Sequence, residues 1–411
     1  MKIFAFAGTR YTAADPGRFA APPFDQIDEQ LRDQLHAESA EHYAHLTRPV
    51  ARDGGDPHDA ARDLHDRWLA DGIAARDDAP SLYPYAIESA SGGRRLGLCA
   101  LVGVDPSCDG DLRPHEHTVD KPLAERLSLL ERMRVDLEPV LYLSEDSGEL
   151  EVLLAEDVEA GTELVRHHDV GRNEDHVLYR VTSPERIAQY KAVLKDCGAA
   201  IADGHHRTKV SQLFAKEHPE SLGTAGSAKL AVLTSLKSEG LKIDPIHRAI
   251  DKPLDHDVLR AGIVSAEAWS GDSGDDFAAA VDSAPQPTLG VYFKGRGPEL
   301  WRLDPEAAPA DTPGRKAGLP VVLLHHHLLP LCNLDLAAAS DGTMRYKSDP
   351  AELFAMAEAG ETEIAVFLPS MSPEAFGVAT ADGDVLPPKS TRFLPKLVSG
   401  MVWSGHDTKI D

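Results

Sequence analysis

The run Ala199-Ala-Ile-Ala-Asp-Gly-His-His-Arg-Thr208 constrains this chain more than any other stretch. Four small or apolar residues, Ala199 to Ala202, predict a short buried strand. Asp203-Gly204 predicts a sharp turn. Val210, Leu213 and Phe214 then recur at helical spacing, so a helix opens near Arg207. A strand, a glycine turn and a helix start make an anion cradle. The helix's first N–H groups have no internal partner, and the macrodipole adds partial positive charge there. Asp203 can hold a divalent cation or orient a histidine, and Arg207 can fork onto phosphate oxygens. A plain Asp-Gly turn decorated by histidines is the other reading. Three ionisable residue types crowded onto one turn exceed what a turn needs.

Composition narrows the function classes. With 411 residues the chain can bury more than one core. Its 42% hydrophobic and 27% charged residues are those of a globular protein. A net charge of −25 argues against nucleic-acid and anionic-membrane surfaces, which need an excess of Lys and Arg. It leaves room for a local basic pocket. Cys99, Cys108, Cys197 and Cys332 show no metal spacing and read as reduced thiols. The first residues lack a signal-peptide pattern, and the apolar run Leu319–Leu331 is too short to span a bilayer. A cytoplasmic protein, free of nucleic acid and membrane, is the expectation.

Along the chain, Pro22-Pro23 fixes an extended backbone ahead of Phe24 and Asp25. Asp25 reads most simply as a turn or cap carboxylate before a helix at Ile27–Leu35. Tyr43–Pro49 reads as a strand, and Asp56-Pro57 opens a helix striped by Ala60, Leu64 and Trp68. Strands follow at Ser81–Glu88 and Arg95–Val104, turned at Gly92-Gly93. In Arg113-Pro-His-Glu-His-Thr118, strand geometry puts His115 and His117 on one side and Glu116 on the other. HExxH is absent, so Glu116 is read as an acid/base or cation-orienting carboxylate rather than part of a zinc site; a salt-bridged loop with Arg113, Lys121 and Arg126 is the alternative. A strand at Val140–Leu143 precedes an acidic region reaching Gly171, and a helix spans Pro184–Leu194. After the strand Ala228–Leu236, His247-Arg248 either returns a second His/Arg pair to the phosphate pocket or simply ends a strand. His325-His326-His327 point in three helical directions and read as packing and surface residues. Near the end, Lys389, Ser390, Thr391 and Lys396 can supply cations and hydroxyls to a phosphate or carboxylate, outside any P-loop pattern.

Ala-Pro-Pro-Phe-Asp, Pro-His-Glu-His-Thr, Ala-Asp-Gly-His-His-Arg, Ile-His-Arg and Pro-Pro-Lys-Ser-Thr, in that order, resemble one family. It is the bacterial and archaeal group called domain of unknown function 1015, associated with free L-serine kinases. The resemblance implies an α+β fold whose mixed-sheet core is of the ParB/sulfiredoxin type, with additional α/β subdomains. It further implies that Asp203, Gly204, His205, His206 and Arg207 form the phosphoryl-donor loop. Glu116 or Asp25 would then take the proton of the substrate hydroxyl. Two departures stand out: Phe24 replaces the family's usual Tyr, and Thr208-Lys209 replaces Tyr-Glu after the loop.

The resulting expectation is phosphoryl transfer to serine, giving O-phosphoserine. Pyrophosphate, ADP or ATP is the donor, with Mg²⁺ at Asp203. Asp203 and His205 join Asp25 or Glu116 in catalysis. Gly204, His206, Arg207, His247 and Arg248 hold phosphate, and Lys389, Ser390, Thr391 and Lys396 hold substrate. A hydrolytic or catalytically silent nucleotide-binding protein of ParB type is the alternative. Residues 1–250 form the expected catalytic region, 251–320 a peripheral insertion and 321–411 a segment completing the pocket. A homodimer fits the same reading.

Overall fold

The computed structural model describes residues 1–51, 54–90, 93–116, 121–310, 312–334, 341–381 and 383–410, with the backbone alone at 121 and 122. It separates into two compact units. The first comprises Met1–Pro114, Thr118–Leu241 and Pro395–Asp411; the second comprises His115–His117 and Lys242–Leu394. The expected boundaries at 250 and 320 do not coincide with these. Strand His247–Ile250 pairs with both Met344–Lys347 and Ile364–Phe367, so a cut after residue 250 would divide a single sheet.

Among the described residues, the first unit is built on a nine-stranded mixed sheet. Ala199–Asp203 lies between Leu112–Pro114, to which it is parallel, and Val140–Ser144, to which it is antiparallel. Ala228–Ser235 continues the sheet, parallel to Val140–Ser144 and antiparallel to Arg94–Gly103. These inner strands are buried along nearly their whole length. They therefore read as continuous apolar runs rather than alternating ones. The hairpin of Tyr83–Ser89 with Arg94–Gly103 forms as expected, although Gly92 of its turn lies outside the described residues. A separate aromatic core gathers Tyr11, Tyr43, Trp68 and Trp403.

Two local expectations are corrected. Tyr43–Pro49 contains a helical turn, Ala44–Thr47, where a strand was expected. Its apolar residues pack inward on a buried turn, and the Tyr43 hydroxyl donates to Leu137 O at 2.9 Å. The acidic region before Gly171 contains the helix Glu149–Ala160, which buries Leu150, Leu154 and Val158. Four-residue spacing is a helical period, and Glu149, Glu156 and Glu159 are exposed on its wet side.

The second unit carries a six-stranded sheet in the order Ser265–Ala268, Gly297–Arg302, Thr288–Phe293, Ile364–Phe367, His247–Ile250 and Met344–Lys347. All its pairings are antiparallel. Phe277, Leu353, Phe354 and Phe367 fill its core. Among the described residues, no helix is long and apolar enough to cross a membrane.

Candidate functional site

The strand Ala199–Asp203 hands over to the helix His205–Glu217 through Gly204, whose φ is +90°. An added Cβ there would sit 2.3 Å from Val140 Cγ1. Only glycine satisfies both the left-handed backbone and this close approach. No side chain caps the helix start, and its first turn contains no acidic residue. The positive end of a helix dipole with no acidic residue beside it attracts an anion.

Asp203 and Arg207 face each other across this turn: Arg207 Nη2 donates to Asp203 Oδ2 at 2.9 Å, and Nη1 donates to Pro139 O at 3.0 Å. Lys396 Nζ donates to the other oxygen, Asp203 Oδ1. Burial pushes the Asp203 carboxyl up, but Arg207 and then Lys396 outweigh it and hold it below the usual carboxylate range. Burial likewise opposes the charge of Arg207. Glu138 first, then Asp203 and Asp25, more than offset that and strengthen its hold on its proton. Each Asp203 oxygen is thus engaged by a cation. Such a donor set does not fit the Mg²⁺ ligand expected at Asp203, and among the described residues no three His, Cys, Asp or Glu side chains converge as a cation cage.

Phe24 links the first motif to this loop. The Arg126 guanidinium lies 3.8 Å from the Phe24 ring centroid, and that of Arg207 lies 6.0 Å from it. The Phe24 N–H donates to Glu138 Oε1 at 3.0 Å, which fixes the turn that carries Asp25. Asp25 is not the cap of the following helix; Asp28 is, accepting from Leu31 N at 2.8 Å. Just past the loop, Thr208 Oγ1 meets the Tyr142 hydroxyl at 2.9 Å, a buried hydroxyl pair. His205 is buried and His206 partly exposed at the helix start.

Behind Phe24 lies a cavity of about 50 Å³. Its polar lining is Arg126, Arg207, Lys229, Asp136, Glu138 and Ser211. Lys229 Nζ donates to Asp136 Oδ1 and, at 2.9 Å, to Glu138 O. Burial lowers the pKa of Lys229 despite the nearby Asp136. Sequence reasoning passed over Glu138, Asp136 and Lys229 and met Arg126 only as part of a basic neighbourhood. The available signal was a charge in an apolar setting. Lys229 interrupts the apolar strand Ala228–Ser235, and Arg126 lies one turn before Leu129 and Leu130, whose helix face is buried.

The remaining expected site residues belong to the second unit. The partly exposed Glu116 accepts from Lys389 N–H at 3.4 Å. His115 Nε2 meets Thr391 Oγ1 at 2.9 Å, and its ring stands edge-on to Phe376 and Phe393. Ser390 Oγ donates to Pro387 O at 2.5 Å. The Pro-His-Glu and Pro-Pro-Lys-Ser-Thr motifs therefore come together; His117 lies outside the described residues. His247 and Arg248 are not presented to a ligand. His247 Nδ1 accepts from Leu368 N–H at 3.1 Å. Arg248, fully buried, donates to His325 Nε2 at 3.2 Å, to Pro388 O at 3.3 Å and to Ile246 O. It also lies 4.6 Å from the Tyr346 ring centroid. Their expected role on phosphate is corrected: strand pairing turns both side chains into the second unit's interior.

Residues 3–312 match the family described as "Protein of unknown function (DUF1015)". No curated protein matches. Among solved structures, similarity extends to a conserved hypothetical protein from Pyrococcus furiosus, at 14% identity over 73% of this chain and 94% of that one, with a TM-score of 0.36. A free serine kinase in complex with AMP aligns at 13% identity over 72% of this chain and 87% of its own, with a TM-score of 0.36. SbnI with a C-terminal truncation, from Staphylococcus aureus, aligns at 10% identity over 73% and 85%, with a TM-score of 0.38.

Proposed function

The chain belongs to the DUF1015 family, and we propose that it is a phosphotransferase, a free L-serine kinase making O-phosphoserine from pyrophosphate, ADP or ATP. One observation carries this reading: an uncapped helix start at a left-handed glycine, with Arg207 locked onto Asp203 beside it. That arrangement suits a phosphoryl group, whose charge spreads over its oxygens during transfer. Arg207 uses two of its five N–H donors on Asp203 and Pro139, so its orientation is fixed while others remain for a ligand. Asp203 and Lys396 hold that cation in place without moving during the reaction, which is electrostatic preorganisation.

In this reading the serine hydroxyl oxygen attacks the terminal phosphorus. The bond from that phosphorus to the leaving phosphate oxygen breaks, and the hydroxyl proton passes to a carboxylate. Asp25 is our assignment for that carboxylate, because its charge acts on Arg207 and Phe24 fixes its turn. The mixed sheet would then be a core of ParB/sulfiredoxin type. A second reading has its own support: with both Asp203 oxygens occupied by cations, the loop also suits a protein that holds a nucleotide without turning it over.

Phosphorus NMR separates the readings. The full chain is mixed with L-serine and each of pyrophosphate, ADP and ATP, with and without Mg²⁺. Serine-dependent O-phosphoserine is the expected product. Donor hydrolysis that ignores serine, or donor binding without turnover, overturns the kinase in favour of a hydrolase or a binding protein.

A further inference from the structure

Arg126 is a buried guanidinium with an open end. It is 8% exposed, its Nη2 donates to Glu125 at 3.2 Å, and its Nη1 is buried with no hydrogen-bond partner among the described residues. A buried N–H left unpaired is destabilising, more so when the group is charged. Burial indeed lowers the Arg126 pKa, with Glu138 offsetting part of the loss. The side chain lines the cavity behind Phe24 together with Arg207, Lys229, Asp136 and Glu138. Lys229 is paired with Asp136 and Arg207 with Asp203, so the lining's remaining charges are the Arg126 guanidinium and the Glu138 carboxylate, which match a zwitterion better than a phosphate dianion. Glu138 adds the complementary feature. Both of its side-chain hydrogen bonds, from Phe24 N and Ser399 Oγ, fall on Oε1, so among the described residues Oε2 is the oxygen left for a ligand. At roughly 10–15 Å³ per water, a cavity of about 50 Å³ holds a few waters, hence a ligand of a few heavy atoms.

The geometry points to this cavity as the subsite that reads the acceptor's charged head group, Arg126 taking an α-carboxylate and Glu138 an α-ammonium. The inference rests on the phosphotransferase reading and moves acceptor recognition from the expected Lys389 and Lys396 to Arg126 and Glu138. Lys396 is already committed to Asp203. A guanidinium offering its fork and a neighbouring carboxylate oxygen together recognise a zwitterion, which neither does alone.

Calorimetry on the full chain without donor tests it, using L-serine, L-alanine, ethanolamine and 3-hydroxypropionate as probes. L-serine and L-alanine should bind. Ethanolamine lacks the carboxylate and 3-hydroxypropionate the ammonium, so each should bind roughly 30-fold more weakly or worse. Arg126→Lys, which keeps the charge but loses the fork, should raise KM for serine by at least about tenfold while kcat changes little. Wild-type discrimination among the four probes does not depend on any variant folding. Equal binding of ethanolamine, displacement of serine by inorganic phosphate, or an unchanged KM in Arg126→Lys would overturn the assignment. The two readings fail separately. Serine binding without O-phosphoserine under any donor removes the kinase and leaves the subsite; O-phosphoserine with an unchanged KM in the variant removes the subsite and leaves the kinase.

Discussion

The chain contains two His-Arg pairs, His206-Arg207 and His247-Arg248, and the fold uses them in opposite ways. Arg207 begins a helix behind a glycine at φ +90°, bonds Asp203 directly and lies in the field of Glu138, Asp25 and Asp136. Arg248 sits in a strand with neutral partners: a carbonyl at either side, a histidine and an aromatic ring. Burial lowers its pKa to about 10. The contrast shows that the dipeptide carries no function in itself. The backbone that presents it decides whether the guanidinium meets a ligand or is consumed by packing.

The largest expected effect tests the first half of that contrast. Arg207→Ala should lower turnover roughly 100- to 1,000-fold, the usual cost of losing one preorganised donor to a transferring group. Arg207→Lys should recover little, because an ammonium lacks the planar fork that holds Asp203 and Pro139 O on separate nitrogens and still offers donors to a ligand. The fold should persist, since Lys396 still balances Asp203. Steady-state kinetics beside a thermal melt measures both; a variant that melts normally and turns over like wild type would sever the loop from the chemistry.

A middle-sized effect is acid lability, and it sharpens the comparison by involving both units. Burial lowers the pKa of His247 to about 4 and of His325 to about 3 in the second unit. It does the same for His42 and His406, each to about 4, and for His176, to about 3, in the first. An unfolded histidine takes a proton near pH 6.5, whereas these folded ones wait until pH 3–4. Between those values the unfolded state binds more protons, so stability rises with pH there and is lost as pH falls. Asp203, with its pKa depressed, adds a further loss only below the ordinary carboxylate range. Melting temperature should therefore drop steadily from about pH 6.5 towards pH 4. A flat profile over that interval would contradict the buried neutral histidines.

Much of this was legible in the residues. Helix Pro184–Leu194, the hairpin around residues 90–93, and the strand-turn-helix at Ala199–Glu217 follow from periodicity, Gly and Pro, because local rules set them. The cavity lining was not legible. Arg126, Glu138 and Lys229 lie 12 to 103 residues apart along the chain, and only the tertiary fold brings them together. The site role expected for His247-Arg248 failed for the same reason: a strand assigns alternate side chains to faces, but sequence spacing alone does not say which face is solvent.

The smallest expected effect bears on the second half of the contrast, through Arg248→Met. A guanidinium at 0% exposure, with no carboxylate partner among the described residues, gives up hydration and receives only neutral hydrogen bonds in return. Replacing a buried charge with an apolar side chain of similar length is often neutral or stabilising. Met keeps contact with the Tyr346 ring and relieves His325 of a neighbouring positive charge, although it leaves the Pro388 and Ile246 carbonyls without this donor. These effects oppose each other, so stability should stay within about 1 kcal/mol of wild type and turnover within a few-fold. If Arg248→Met instead abolished turnover with an unchanged melt, the second pair would be part of the chemistry after all, and the burial of Arg248 would describe a resting arrangement that opens to act.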